Sequence, residues 1–140
     1  MALAPVHHDL VFALPARPEA AGAARRLLVR EGLDPDVDHT VCLLVSEIVT
    51  NSIRHAGLTE ADRIVLAARL TDDFARVEVR DNGPGFHPEV RHGASGFGLR
   101  MLDKLATRWG VDRDGETTRV WFEVDRRPKR FTRRPLGAAG

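Results

Sequence analysis

The chain has 140 residues, of which 43% are hydrophobic, enough for one packed core and too few for two comfortable domains. Of its 21 basic residues, six lie in an acid-free segment, 126–140, which leaves 15 against 20 acids in residues 1–125, a net charge of −5. The net negative charge of residues 1–125 gives no reason to expect nucleic-acid binding. The single cysteine, Cys42, excludes an internal disulfide. No apolar run is long enough to span a membrane, so we expect a cytoplasmic protein.

The first part of the chain predicts one strand and two helices. Residues 9–14 are short, apolar and ended by proline, which is typical of a strand at a sheet edge. Residues 18–32 place apolar side chains at helical spacing, with proline near the start and glycine at the end. Residues 34–38, DPDVD, predict a turn and an N-cap for a second helix over residues 38–56.

The second part predicts two hairpins separated by a long loop and a helix. Residues 64–70 and 76–81 alternate apolar and polar side chains around the turn 71–73, and strands near 108–112 and 119–124 flank the turn sequence DRDGE. Between the hairpins lies a glycine- and proline-rich loop, 82–98, followed by a short helix. These elements predict an α+β two-layer sandwich, with one mixed, mainly antiparallel sheet and helices on one face. We expect one domain over residues 1–125 and a disordered basic tail over 126–140.

The second helix carries a row of three polar side chains, Glu47, Asn51 and His55, spaced four residues apart. They share one helix face and flank the apolar stripe, which predicts a position neither deep in the core nor fully solvated. Most such rows only solubilise a helix. An amide oxygen nevertheless suits Mg²⁺, and a carboxylate one turn earlier can accept a proton from a hydroxyl group. The combination of the Asn51 amide and the Glu47 carboxylate indicates a nucleotide site.

Two glycine-containing motifs follow the row. In DNGPG, Asp81 ends a predicted strand, where its carboxylate can accept a hydrogen bond from an exocyclic amine such as that of adenine. Gly83 and Gly85 let a flat ring approach the backbone, although the same motif also forms ordinary turns. In SGFGL, residues 95–99, glycines open a helix whose free N–H groups favour anionic oxygens.

The three motifs together resemble a known family. E-x-x-x-N on a helix, D-x-G-x-G at a strand end and G-x-G at a helix start occur in the order of the GHKL ATPases, which have the Bergerat nucleotide-binding fold. Over about residues 11–125, the sequence resembles the small single-domain anti-sigma factor serine/threonine kinases of bacterial partner-switching systems.

The resemblance implies a role for each motif residue. Glu47 matches the catalytic glutamate, Asn51 the Mg²⁺ ligand and Asp81 the adenine-binding aspartate, with Gly83 and Gly85 shaping the pocket. The other implied ATP-binding residues are His55, Gly96, Phe97, Gly98 and Leu99. Such a kinase transfers the γ-phosphoryl group of ATP to a Ser or Thr of an anti-sigma antagonist, holds a sigma factor and is usually a homodimer. The alternative is a non-catalytic ATP-binding module that switches partners, because no cation is assigned to the γ-phosphate.

Overall fold

Five strands and three helices make up the residues described by the computed structural model, which are 8–55, 58–59, 61–81, 96–115 and 117–126. In chain order the elements are β1 (His8–Pro15), α1 (Ala20–Arg30), α2 (His39–His55), β2 (Arg63–Leu70), β3 (Phe74–Asp81), α3 (Gly96–Leu105), β4 (Arg108–Asp114) and β5 (Thr117–Asp125). None of these helices is long and apolar enough to cross a membrane.

The strands form one sheet in the order β1-β2-β3-β5-β4, with β1 at an edge as predicted. The prediction was a mixed, mainly antiparallel sheet, and all four described strand pairs are antiparallel. The reason lies in the strand order. Strands β3 and β4 both pair antiparallel with β5 and so run in the same direction, but β5 lies between them and no parallel pair forms.

The core lies between this sheet and the helices. Strands β2 and β3 bury alternate residues, as expected when only one face of a sheet is covered. On the helical side, α1 buries Ala20, Ala24 and Leu28, spaced four residues apart. The fully buried side chains from both layers include Ile64, Leu66, Val77, Val79, Phe122, Leu44 and Val45. This arrangement confirms the predicted α+β sandwich.

The element boundaries differ from the prediction by a few residues. Helices α1 and α2 end within two residues of the predicted positions, and Gly32 follows α1 with φ +122°, a conformation that favours glycine. The third helix begins at Gly96, so the glycine motif forms its first turn and does not precede it. Strands β3 and β5 each begin two residues earlier than predicted.

Asp38 was predicted to cap α2, but its carboxylate binds Asp34 and Arg126 and not the first N–H groups of the helix. Its backbone carbonyl accepts the hydrogen bond of Cys42 N–H, but its carboxylate accepts hydrogen bonds from Asp34 N–H and from the guanidinium of Arg126. Arg126, which the prediction placed in the basic tail, is therefore attached to the domain. Residues 127–140 lie outside the described part of the chain.

Candidate functional site

Helix α2 carries the predicted row and lies in the middle of the helical layer. It contacts α1 on one side, α3 on the other, and strands β3 and β5 beneath. Because α1, α3 and the sheet all cover α2, the buried surface of α2 is wider than a single apolar stripe. It includes Asn51, which is only 8% exposed. Asn51 is therefore more buried than its predicted place at the edge of the apolar stripe suggested, although it keeps more exposure than Val45 or Ile48, and Glu47 is partly buried as expected. The backbone of His55 ends α2, and its side chain is outside the described part.

Glu47 and Asn51 are available for a ligand. They lie one helical turn apart on the same side of α2, and neither side chain makes a hydrogen bond or ion pair with another described residue. The Asn51 amide oxygen can therefore accept a hydrogen bond from a ligand or coordinate a cation.

Asp81 is the last residue of β3 and is buried. Its neighbours across the sheet are Ile64 on β2 and Thr118 on β5. The strand end therefore presents a carboxylate between an apolar and a polar neighbour. A carboxylate in that position can accept hydrogen bonds from an amine but cannot donate one when ionised.

Thr118 is a candidate site residue that the sequence did not reveal. It lies opposite Asp81 in the β3–β5 pair, is buried, and its Oγ1 has no hydrogen-bond partner among the described residues. A buried hydroxyl without a partner is unusual, which marks this position as a place for a ligand or water. The signal in the sequence was alternation with Val120 and Phe122 along β5, but only the pairing of β5 with β3 puts Thr118 beside Asp81.

The remaining predicted site residues are described only in part or not at all. Gly83 and Gly85 lie outside the described part of the chain. Gly96 and Gly98 are in the first turn of α3, which contains no acidic residue and contacts α2. The side chains of Phe97 and Leu99 are also outside the described part. The motifs thus lie on elements that contact one another, since α2 contacts both β3 and α3.

The described side chains fit a Mg²⁺ ion bound to a nucleotide better than a metal ion held by protein ligands alone. Among the described residues, no group of three or more His, Cys, Asp or Glu side chains could hold a metal ion. Mg²⁺ bound to a nucleotide takes most of its ligands from phosphate oxygens and water, so it needs few protein ligands. The Asn51 amide fits that requirement, and the described side chains do not form a cage made of protein alone.

Comparisons with known proteins show which family the chain resembles. A model of the histidine kinase-like ATPase domain matches residues 14–124. The serine-protein kinases RsbW of Listeria innocua serovar 6a and Listeria monocytogenes serovar 1/2a are each 33% identical over 94 residues, which cover 64% of this chain. The match spans only 60% of each Listeria protein.

A solved structure is similar to most of the fold. The crystal structure of the RsbU and RsbW domains of Rv1364c from Mycobacterium tuberculosis superposes with a TM-score of 0.64 at 25% sequence identity. The superposition covers 86% of this chain and 33% of that chain. Together with the family match over residues 14–124, these similarities show that this chain belongs to the histidine kinase-like (GHKL) ATPase domain family and is similar to its anti-sigma serine kinase branch.

Proposed function

We propose that this protein is an ATP- and Mg²⁺-dependent serine/threonine kinase that acts as an anti-sigma factor and phosphorylates a Ser or Thr of an anti-sigma antagonist. The observation that carries the nucleotide site is the buried Thr118 hydroxyl, without a described partner, directly across the sheet from buried Asp81. The kinase activity is supported by the similarity to proteins named serine-protein kinase RsbW.

In this proposal, Asp81 and Thr118 form the polar end of an adenine pocket. The Asp81 carboxylate accepts a hydrogen bond from the adenine amino group, and the Thr118 hydroxyl donates to a ring nitrogen or to a water that bridges to it. Gly83 and Gly85 allow the ring to approach the backbone. The ligand would satisfy the hydroxyl group, which explains why a buried threonine is tolerated there.

The phosphate end is assigned to α2 and α3. Asn51 would ligate Mg²⁺, which when bound offsets the negative charge of the phosphates. The free N–H groups in the first turn of α3, at Gly96 and Gly98, would donate to phosphate oxygens. We assign His55, Phe97 and Leu99 to the walls of the same pocket.

Glu47 is proposed as the catalytic base. It lies one turn before Asn51 on α2 and is partly buried. In this proposal its carboxylate lies beside a hydroxyl group held at the metal-bound phosphate. Its carboxylate accepts the proton of the attacking Ser or Thr hydroxyl. General base catalysis of this kind contributes about 10²–10⁴ in rate.

Calorimetry with ATP and Mg²⁺ tests the adenine pocket. Thr118→Val nearly keeps the side-chain shape and removes a hydroxyl without a described partner, so we expect no loss of thermal stability and an affinity about 5–10-fold weaker, the equivalent of one hydrogen bond. The control is Thr50→Val, because Thr50 is exposed on α2 and should not affect binding. Equal affinity of Thr118→Val and the unmodified chain would refute the adenine assignment, and absence of any heat with ATP would refute the nucleotide site.

A transfer assay tests the catalytic assignment separately. With labelled ATP and a cognate antagonist, Glu47→Ala should bind ATP within a few-fold of the unmodified chain and lose transfer by at least about 10²-fold. Asn51→Ala should weaken ATP binding only when Mg²⁺ is present. Unchanged transfer by Glu47→Ala would refute the base assignment.

The two experiments also separate the kinase from its alternative. If ATP binds normally and no phosphate reaches an antagonist in a confirmed complex, the chain is a non-catalytic ATP-binding module that switches partners. The sigma factor as the sequestered partner, and a homodimer as the working unit, belong to the same proposal. Identification of co-purifying proteins tests the first, and sedimentation of the isolated chain tests the second.

A further inference from the structure

A groove of about 760 Å³ lies between α1 and α2 and contains none of the residues of the candidate site. Its floor is formed by Ala23, Leu27 and Cys42, which are partly buried and pack against the core. Basic side chains stand around this apolar floor: Arg25, Arg26, Arg30 and His39, all exposed. We call this surface the α1–α2 groove.

The helical spacing of α1 produces the groove. Ala24 and Leu28 point into the core, and the residues just before them, Ala23 and Leu27, are turned by about 100° around the helix and line the groove. Arg26 and Arg30 are also spaced four residues apart and lie next to the strip formed by Ala23 and Leu27, on its outer side. The result is an apolar strip bordered by positive charge, which differs from the uniformly polar outer face of an ordinary surface helix.

The arginines of the groove are not neutralised by the domain. Six other arginines pair with a carboxylate, whereas Arg25, Arg26 and Arg30 pair with none among the described residues. The guanidinium groups of Arg25 and Arg26 both lie near Gly22, where a Cβ would lie 3.8 Å from Arg25 Nη2 and 3.3 Å from Arg26 Nη1, and Arg25 Nη1 donates a hydrogen bond to Ser46 Oγ on α2. Two like charges held together favour binding of an anion.

The chemistry of the groove selects one kind of occupant. Residues 1–125 carry a net charge of −5, so the groove is a local reversal of sign on an acidic body. The basic residues of segment 127–140 would be repelled from it. Nucleic acid would meet the arginines but would leave the apolar floor unused. A protein segment with both apolar and acidic side chains complements both features.

We propose that the α1–α2 groove docks an acidic amphipathic helix of a protein partner. Apolar side chains of that helix lie against Leu27 and Cys42, and its acidic side chains face Arg25, Arg26 and Arg30. Val29, which is 37% exposed at the groove, adds apolar surface to the contact.

Fluorescence anisotropy with synthetic probes tests the docking site on the full chain. The main probe is a labelled helical peptide of about four turns, with leucines at helical spacing and flanking glutamates. The comparison probes are an oligo-glutamate and an oligo-dT of similar charge. We expect the amphipathic peptide to bind at micromolar concentration, more weakly as salt rises, and at least about tenfold more tightly than either comparison probe. No binding, or equal binding of a comparison probe, would overturn the proposal.

Charge reversal then locates the contact. Arg25→Glu combined with Arg26→Glu should weaken peptide binding by at least about tenfold, and Val29→Ser by about two- to fivefold. The control reverses two exposed arginines elsewhere, Arg54 and Arg63, to glutamate and preserves the same net charge. Circular dichroism confirms that each variant is folded. If the control weakens binding as much as the groove variant, net charge and not the groove determines binding.

Discussion

The ion pair between Arg126 and Asp38 closes the domain where β5 ends. Arg126 Nε and Nη2 donate to the two carboxylate oxygens of Asp38 at 3.0 and 2.9 Å, and Nη1 donates to the Thr71 carbonyl at 2.7 Å. The Arg126 backbone N–H also donates to the Asp73 carbonyl. One side chain therefore connects the end of β5 to the start of α2 and to the β2–β3 turn.

Arg126→Met should destabilise the domain strongly. It removes three hydrogen-bond donors and leaves the Asp38 carboxylate, whose side chain is only 2% exposed, without its countercharge. Loss of one partner of a buried pair typically costs about 3–5 kcal/mol. Asp34 N–H still donates to Asp38 and the Arg126 side chain is 17% exposed, so we expect the lower end, about 3 kcal/mol. At a urea m-value of about 1.5 kcal/mol/M, the midpoint should fall by about 2 M.

Urea denaturation followed by circular dichroism measures this shift, and the chain offers a matched control. Arg69 also forms a two-bond contact with a carboxylate, that of Asp9, but the two side chains are 48% and 66% exposed. Arg69→Met should therefore leave the midpoint nearly unchanged. Truncation after Arg126 should be tolerated, whereas truncation after Asp125 should resemble Arg126→Met. A midpoint shift for Arg126→Met no larger than for Arg69→Met would refute the reasoning.

Two further predictions concern the open face of the sheet. Burial by itself raises the pKa of Glu123, but hydrogen bonds from Arg108 and Arg76 outweigh it and hold the pKa below its ordinary value of 4.5. The stability from these contacts is therefore complete above about pH 4.5 and lost as the pH falls through the lower folded-state pKa. Glu123→Gln should flatten the dependence of the urea midpoint on pH in that acidic range, and an unchanged slope would contradict the assignment. Gly110→Ala should cost about 1–3 kcal/mol, because the new Cβ would lie 2.7 Å from Trp121 Nε1 while the Arg76 guanidinium stacks on that ring, 4.4 Å from its centroid. Thermal melts measure the loss, and Trp121→Val in the same chain should recover most of it.

The sequence by itself determined the elements and the chemistry of the motifs. The four-residue spacing of Ala20, Ala24 and Leu28 and the alternation along β2 and β3 are local patterns, because each depends on residues within one or two turns or pleats. The same holds for the Glu47–Asn51 spacing on α2. Helices, hairpins and the α+β class therefore followed from neighbouring residues alone.

The tertiary structure decided which of these residues meet. The insertion of β5 between β3 and β4 puts Thr118 beside Asp81, and the packing of α2 in the middle of the helical layer widens its buried surface. The contact of Arg126 with Asp38 joins residues 88 positions apart and changes the role of a predicted cap. Local spacing cannot encode such contacts, because strand order and helix packing minimise the free energy of the whole chain and not of any one segment.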